Sequence, residues 1–199
     1  MNSKKLILLI FLFFFQNLCN ANDVKDIEVE GMSVGDSLLD YMGEQKIQNE
    51  INSEFSYHYD DYVSISTWIL RDNFETYDDV GVILKKGDNN YTIYSLEGTL
   101  YMDKDSSIED CYSQQNKIND DVKIYLNLNS NIEEWFTPKE RLSDHHISIK
   151  NMQFELSGGV VRTTCYEIQK GIKKNSTRNL LYVTITSNTF YEYVNSLYQ

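Results

Sequence analysis

The stretch VGVILKKGDNNYTIYSLEGTLY, Val80 to Tyr101, decides the fold class. Val80, Val82 and Leu84 recur at the period of two that sends successive side chains to opposite faces of a sheet. Gly87-Asp88-Asn89-Asn90 are residue types that tolerate positive φ, so after Lys86 the chain reverses and Tyr91 to Tyr101 returns as the second arm of a hairpin. Upstream, Val63, Ile65, Thr67 and Ile69 alternate with Tyr62, Ser64, Ser66 and Trp68, which adds a third antiparallel strand.

Helical spacing flanks these strands. Ser33 and Asp36 form a capping box behind Gly31-Met32, and Val34, Leu38, Leu39 and Met42 then make one apolar face that ends at Gly43. Glu44 to Asn52 continues with Ile47 and Ile51 as a second, short helix. The clearest helix runs from Ser107 to Leu126, with Ile108, Cys111, Gln115, Ile118, Val122 and Tyr125 on one face and Ser106 with Glu109 as its capping box. Beyond it, His145 to Leu156 and Val160 to Ile168 are strands joined by the turn Ser157-Gly158-Gly159. The apolar phase of the first shifts from Ile147 and Ile149 to Met152, Phe154 and Leu156, which predicts a bulge near Lys150 and Asn151. Leu180 to Thr186 forms the last strand, and Phe190, Val194 and Leu197 the face of a closing helix. The order ααβββ-αβββ-α is that of an α+β domain, antiparallel sheets with packed helices, whose second half echoes the first as a tandem of two similar units.

Residues 1–21 read as a secretory signal: Lys4 and Lys5, the apolar run Leu6 to Phe15, and a polar segment ending at Ala21. The run is too short for a membrane-spanning helix of about 20 residues, so the expectation is a periplasmic or secreted protein, soluble after cleavage, with no transmembrane segment. Cys19 fits the minus-three position of the cleavage site; the competing reading, a lipid acceptor, wants a small residue where Leu18 stands. The remaining 22–199, with Pro138 as the single proline, reads as one α+β domain. Loss of Lys4 and Lys5 reduces 18 basic residues to 16 against 30 acidic ones, so the net charge goes from −12 to −14. That balance argues against nucleic acid and an anionic bilayer, whose binding rests on lysine and arginine neutralising phosphates; it is compatible with cationic ligands, metal ions or a basic patch on a protein partner, and the plainer reading is solubility alone.

Cys111 and Cys165 are the two cysteines left after cleavage, and in an oxidising compartment a disulfide between them is the expectation. Cys111 lies on the buried face of its helix, and Cys165 shares a strand face with Val161 and Thr163. A redox pair is the alternative, though such pairs are closely spaced beside a helix start.

No motif commits the chain to catalysis. His145 and His146 stand on opposite sides of an extended chain and His58 is far away in sequence, so no metal site is expected. Asp103-Lys104-Asp105 opens like a calcium loop but has Ile108 where glycine belongs and Gln114 where glutamate belongs. There is no nucleophile elbow and no phosphate-cradling glycine loop, and no cofactor is implied. Asn90-Tyr91-Thr92 and Asn175-Ser176-Thr177 match the glycosylation acceptor pattern. Tyr57, Tyr59, Tyr62 and Trp68 are the candidate contact surface, the alternative being that they only cover a sheet face.

The phrase Ile27 to Tyr41, IEVEGMSVGDSLLDY, with Glu75-Thr76-Tyr77-Asp78-Asp79-Val80, the hairpin and the cysteine-bearing helix, resembles a family of exported proteins from AT-rich marine alphaproteobacteria. The resemblance implies a periplasmic home and brings no activity. Gly31, Met32, Ser33 and Gly43 also resemble, more weakly, the SmpA/OmlA-type lipoproteins of the outer-membrane assembly machine, whose domain has two helices and three strands; the spacing to the closing glycine is one residue longer here. These readings converge on an exported, non-catalytic module that binds another envelope protein. The alternative is a secreted hydrolase or small-ligand-binding protein.

Overall fold

The computed structural model describes residues 23–126, 132–138, 146–168 and 178–197; residues 1–21, expected to be a signal, and His145 and Asn175 lie outside them. The fold is α+β and comprises, among the described residues, three α-helices, an eight-stranded antiparallel open sheet and a small hairpin. The hairpin is β1 (Glu28–Val29) with β2 (Met32–Ser33), followed by α1 (Glu44–Ile51). The sheet contains β3 (Tyr57–His58), β4 (Tyr62–Ser66), β5 (Asp79–Lys85), β6 (Ile93–Tyr101), β7 (Glu133–Phe136), β8 (His146–Leu156), β9 (Gly159–Ile168) and β10 (Leu180–Ser187). Between β6 and β7 runs α2 (Ile108–Tyr125), and α3 (Asn188–Ser196) follows β10. Strand order is β3-β4-β5-β6-β10-β9-β8-β7: two meanders that meet at their last strands, where Glu97 of β6 lies opposite Thr184 of β10.

The first expected helix is not formed. Glu30 and Gly31 have φ of 52° and 78°, the pair of left-handed residues that a two-residue hairpin loop requires, and Val29 pairs with Met32. Gly35, at φ 97°, breaks the chain again. Half of the capping box survives: the Ser33 amide donates to the Asp36 carboxylate at 2.9 Å, while the Ser33 hydroxyl donates to the Ile27 carbonyl. Only a 3-10 turn, Leu38–Asp40, remains of the helix, and Gly43 precedes α1 instead of ending its neighbour. Val34, Leu38 and Met42 are buried as their spacing suggests, but on an irregular path. Glu30 locks that path to the sheet, since its carboxylate accepts the amides of Glu75, Thr76 and Tyr77 at 2.7–2.8 Å. Burial raises the pKa of Glu30, and these three bonds more than reverse it.

Other boundaries move for local reasons. β4 stops at Ser66 because Thr67 turns its amide and its hydroxyl onto one acceptor, the Val80 carbonyl, and the chain enters a 3-10 helix at Trp68–Asn73. The capping box of α2 is Ser107 with Asp110, one residue later than expected. Its buried face is Cys111, Gln115 and Asn119, while Tyr125 is 67% exposed. The irregularity of β8 falls between His146 and Ser148, and the register then runs unbroken past Lys150 and Asn151. No phase change is needed there, because residues 149–154 are buried on both faces. Two edge strands, β3 and β7, extend the two expected three-stranded groups to four each.

One face of the sheet carries the core. Val63, Ile65, Val82, Leu96, Val161 and Ile185 pack against Met32, Leu38 and Ile47. Beside them α2 is fastened by the Cys111–Cys165 disulfide. Gln115 adds hydrogen bonds to the carbonyls of Lys150 and Thr163, and Asn119 one to the Thr163 hydroxyl at 2.8 Å.

Candidate functional site

The opposite face of the sheet carries the open hollow of the molecule. Residues that alternate with the core line a hollow of about 500 Å³, floored by β5, β6, β10 and β9 and walled at one end by Phe190, Tyr191 and Val194 of α3. Ser187 caps α3 through the Phe190 amide, which fixes where this helix leaves the last strand.

The sequence-predicted contact tyrosines meet at that end. Tyr62 is 3% exposed and packs in edge and tilted contacts with Tyr94, Phe190 and Tyr193, so it supports α3 from beneath. Tyr59 touches Phe190 and Tyr57, and Tyr57 is 63% exposed at the sheet edge. Trp68 begins the 3-10 helix, and its side chain lies outside the described residues. The structure thus brings Tyr57, Tyr59 and Tyr62 together. His58 sits at the same edge, with its Nε2 3.1 Å from the Ser56 hydroxyl. Among the described residues no three His, Cys, Asp or Glu side chains converge as a metal site would require.

Sequence reasoning passed over Glu97, the centre of the hollow. It is the single charged residue in the run Tyr91 to Tyr101, and that is the signal that could have found it. Across the sheet its row reads Gly81, Glu97, Thr184, Arg162, Gln153, so small neighbours on both sides leave the space above the carboxylate open. The side chain is exposed to solvent within the hollow, with the strand residues packed around its base. Desolvation, with a contribution from Asp79, raises its pKa to about 7. Arg162 is turned away, its Nε and Nη2 donating to Gln153 Oε1 at 2.9 and 2.6 Å and its guanidinium 5.4 Å from the Trp135 ring centre. Tyr166 and Tyr182 stand edge to face at 5.0 Å. Burial and the Glu97 charge push Tyr166 up to about 12 despite Arg162, and the same two causes lead in raising Tyr182.

No family model, curated protein or solved structure matches this chain.

The Glu97 shift has a stability consequence. A carboxyl that holds its proton more tightly when folded favours the folded state at low pH, and this contribution disappears as pH rises from about 4.5 through about 7. Glu97→Gln is therefore expected to match the parent below pH 4.5 and to exceed it above pH 7. Solvent access reduces the gain to about 1 kcal/mol, below the full value of the shift. Urea unfolding at the two pH values measures it, and an equal difference at both would remove the electrostatic explanation.

Proposed function

We propose that this chain is an exported protein of the bacterial envelope, periplasmic or secreted, which binds a partner protein on the open face of its sheet and performs no chemistry of its own. The observation that carries this reading is the asymmetry of the sheet: one face holds the core, and the other presents a polar and aromatic hollow with, among the described residues, α3 across one end. Eight strands at about 4.8 Å spacing make a surface roughly 34 Å across, wide enough for the ~800 Å² per partner of a specific interface. Tyr57 and Trp135 stand on this face near its opposite edges, since they pair with Ser64 and Asn151, which line the hollow. Aromatic residues of this kind give contact area at low entropy cost. The buried disulfide suits an oxidising compartment. The two meanders that meet at β6 and β10 support a tandem reading of the halves and place the hollow across their junction.

The volume of the hollow favours a second reading, a small-ligand-binding protein, because about 500 Å³ lies within the range of ligand pockets.

Thr184→Trp tests the first reading. Thr184 lies in mid-face between Glu97 and Arg162, and an indole there fills the hollow without touching the core. Capture of an envelope protein by immobilised mature chain is expected to fall by at least tenfold, with the thermal midpoint lowered by no more than a few degrees. Undiminished capture would move the interface elsewhere.

A further inference from the structure

We infer that the hollow receives a cationic side chain, lysine or arginine, from the partner protein, with the Glu97 carboxylate as its counter-charge and the Tyr166 and Tyr182 rings beside it. This deepens the partner-binding reading above and depends on it.

The argument begins with what Glu97 lacks. Among the described residues no hydrogen bond and no ion pair reaches its carboxylate, although it lies on the floor of the hollow between two central strands. Its side chain is exposed to solvent within the hollow, so water serves the carboxylate in the free protein, and an incoming charged donor makes a stronger bond than water does. The near cation does not supply one, since Arg162 is spent on Gln153 and Trp135. Asp79, the neighbouring acid, is itself engaged, accepting the Ser66 hydroxyl and the Val80 amide at 2.9 Å. Among the described residues no protein cation is therefore set against Glu97, and the open space above it lets one come from outside.

The walls favour an organic cation over a metal ion. A hard divalent ion takes six or more oxygen ligands, whereas a paired set of tyrosine rings beside one carboxylate suits an ammonium or guanidinium group, which is attracted both by the charge and by ring faces. The acidic balance of the chain, 30 Asp and Glu against 18 Lys and Arg, steers basic surfaces toward it.

Carboxyl-carbon NMR of Glu97, titrated with the amide-capped single residues of lysine, arginine and norleucine, provides the test. The groups that also face Glu97 are Asp79 from β5, Tyr166 from β9 and Tyr182 from β10, while Arg162 of β9 is turned to Gln153. The lysine or arginine probe is expected to lower the Glu97 midpoint from about 7 and norleucine to leave it in place. Glu97→Gln is expected to weaken binding of the cationic probe about tenfold. Equal effects of norleucine and the cations, or probe affinity unchanged in Glu97→Gln, would overturn the inference. Partner capture separates the two levels: loss with Thr184→Trp but not with Glu97→Gln keeps the face and refutes the cationic occupant, and retention by both variants refutes the face itself.

Discussion

Replacing Cys111 and Cys165 together by alanine is expected to cost about 4 kcal/mol and to lower the thermal midpoint by roughly 10 °C. The bond joins α2 to β9 across a sequence separation of 54. In the chain-entropy model the loss is felt mainly in the unfolded ensemble, which regains the freedom of that loop. The folded state should change little, because Gln115 and Asn119 still tie α2 to the backbone and side chain of Thr163. Two readouts follow. Denaturant unfolding should show a steeper slope as well as a lower midpoint, since the released chain exposes more surface. The parent under strong reductant should reproduce the double variant only after passing through unfolding, because Cys111 and Cys165 are fully buried with Leu181, beneath Ile108 and Ile118. That burial favours the structural reading of the pair over the redox one, since thiol exchange needs access for the attacking thiolate. A midpoint shift below a few degrees would refute the clamp.

What the amino-acid order reveals and what it conceals follow from the same physics. The hairpin Asp79 to Tyr101, the turn at Ser157 to Gly159 and the strand Leu180 to Ser187 are legible because alternation and turn chemistry are local signals. Strands β3 and β7 are two and four residues long and leave too few periods to detect. The Gly31 to Gly43 segment misleads because Val34, Leu38 and Met42 have helical spacing and are buried, whereas Glu30, Gly31 and Gly35 sit at positive φ, which a right-handed helix excludes. On α2 the buried Gln115 and Asn119 sit beside Cys111, and the hydrophobic pattern has no term for the amides' hydrogen bonds to β9. The pairing of Cys111 with Cys165 was legible from count and face alone. The hollow was not, because Glu97, Thr184 and Arg162 come together only through the junction of β6 with β10, a contact between residues more than 80 apart in sequence.

Gly159→Ala is expected to be the most damaging single-methyl substitution in the sheet. A β-carbon at this position would stand 2.0 Å from the Thr186 carbonyl oxygen and 3.0 Å from a Val24 methyl. The first atom is backbone, so rotation of a side chain cannot relieve the clash and β9 must separate from β10 at its start. The movement cannot stay local. The Asn188 amide is bonded to the Gly158 carbonyl at 2.7 Å, the Val24 amide to the Ser157 carbonyl at 3.0 Å, and Ser187, which pairs with Gly159, caps α3. A shift there would carry α3 and Phe190 away from Tyr62 and open the end wall of the hollow. The cost should reach about 3 kcal/mol, in the range of overpacked cores. Gly81→Ala is the matched control: its added methyl meets nothing closer than 3.8 Å, so its effect should stay within about 0.5 kcal/mol. Denaturant unfolding gives the two energies, and amide exchange locates the damage. Protection should fall at Val160, Thr186 and Phe190 in Gly159→Ala while β4 and β5 keep most of theirs, because among the described residues β6 with β10 is the one strand pairing between the two meanders. Uniform loss across all eight strands would mean that the turn at Gly159 holds the whole sheet rather than the junction of its second half with α3.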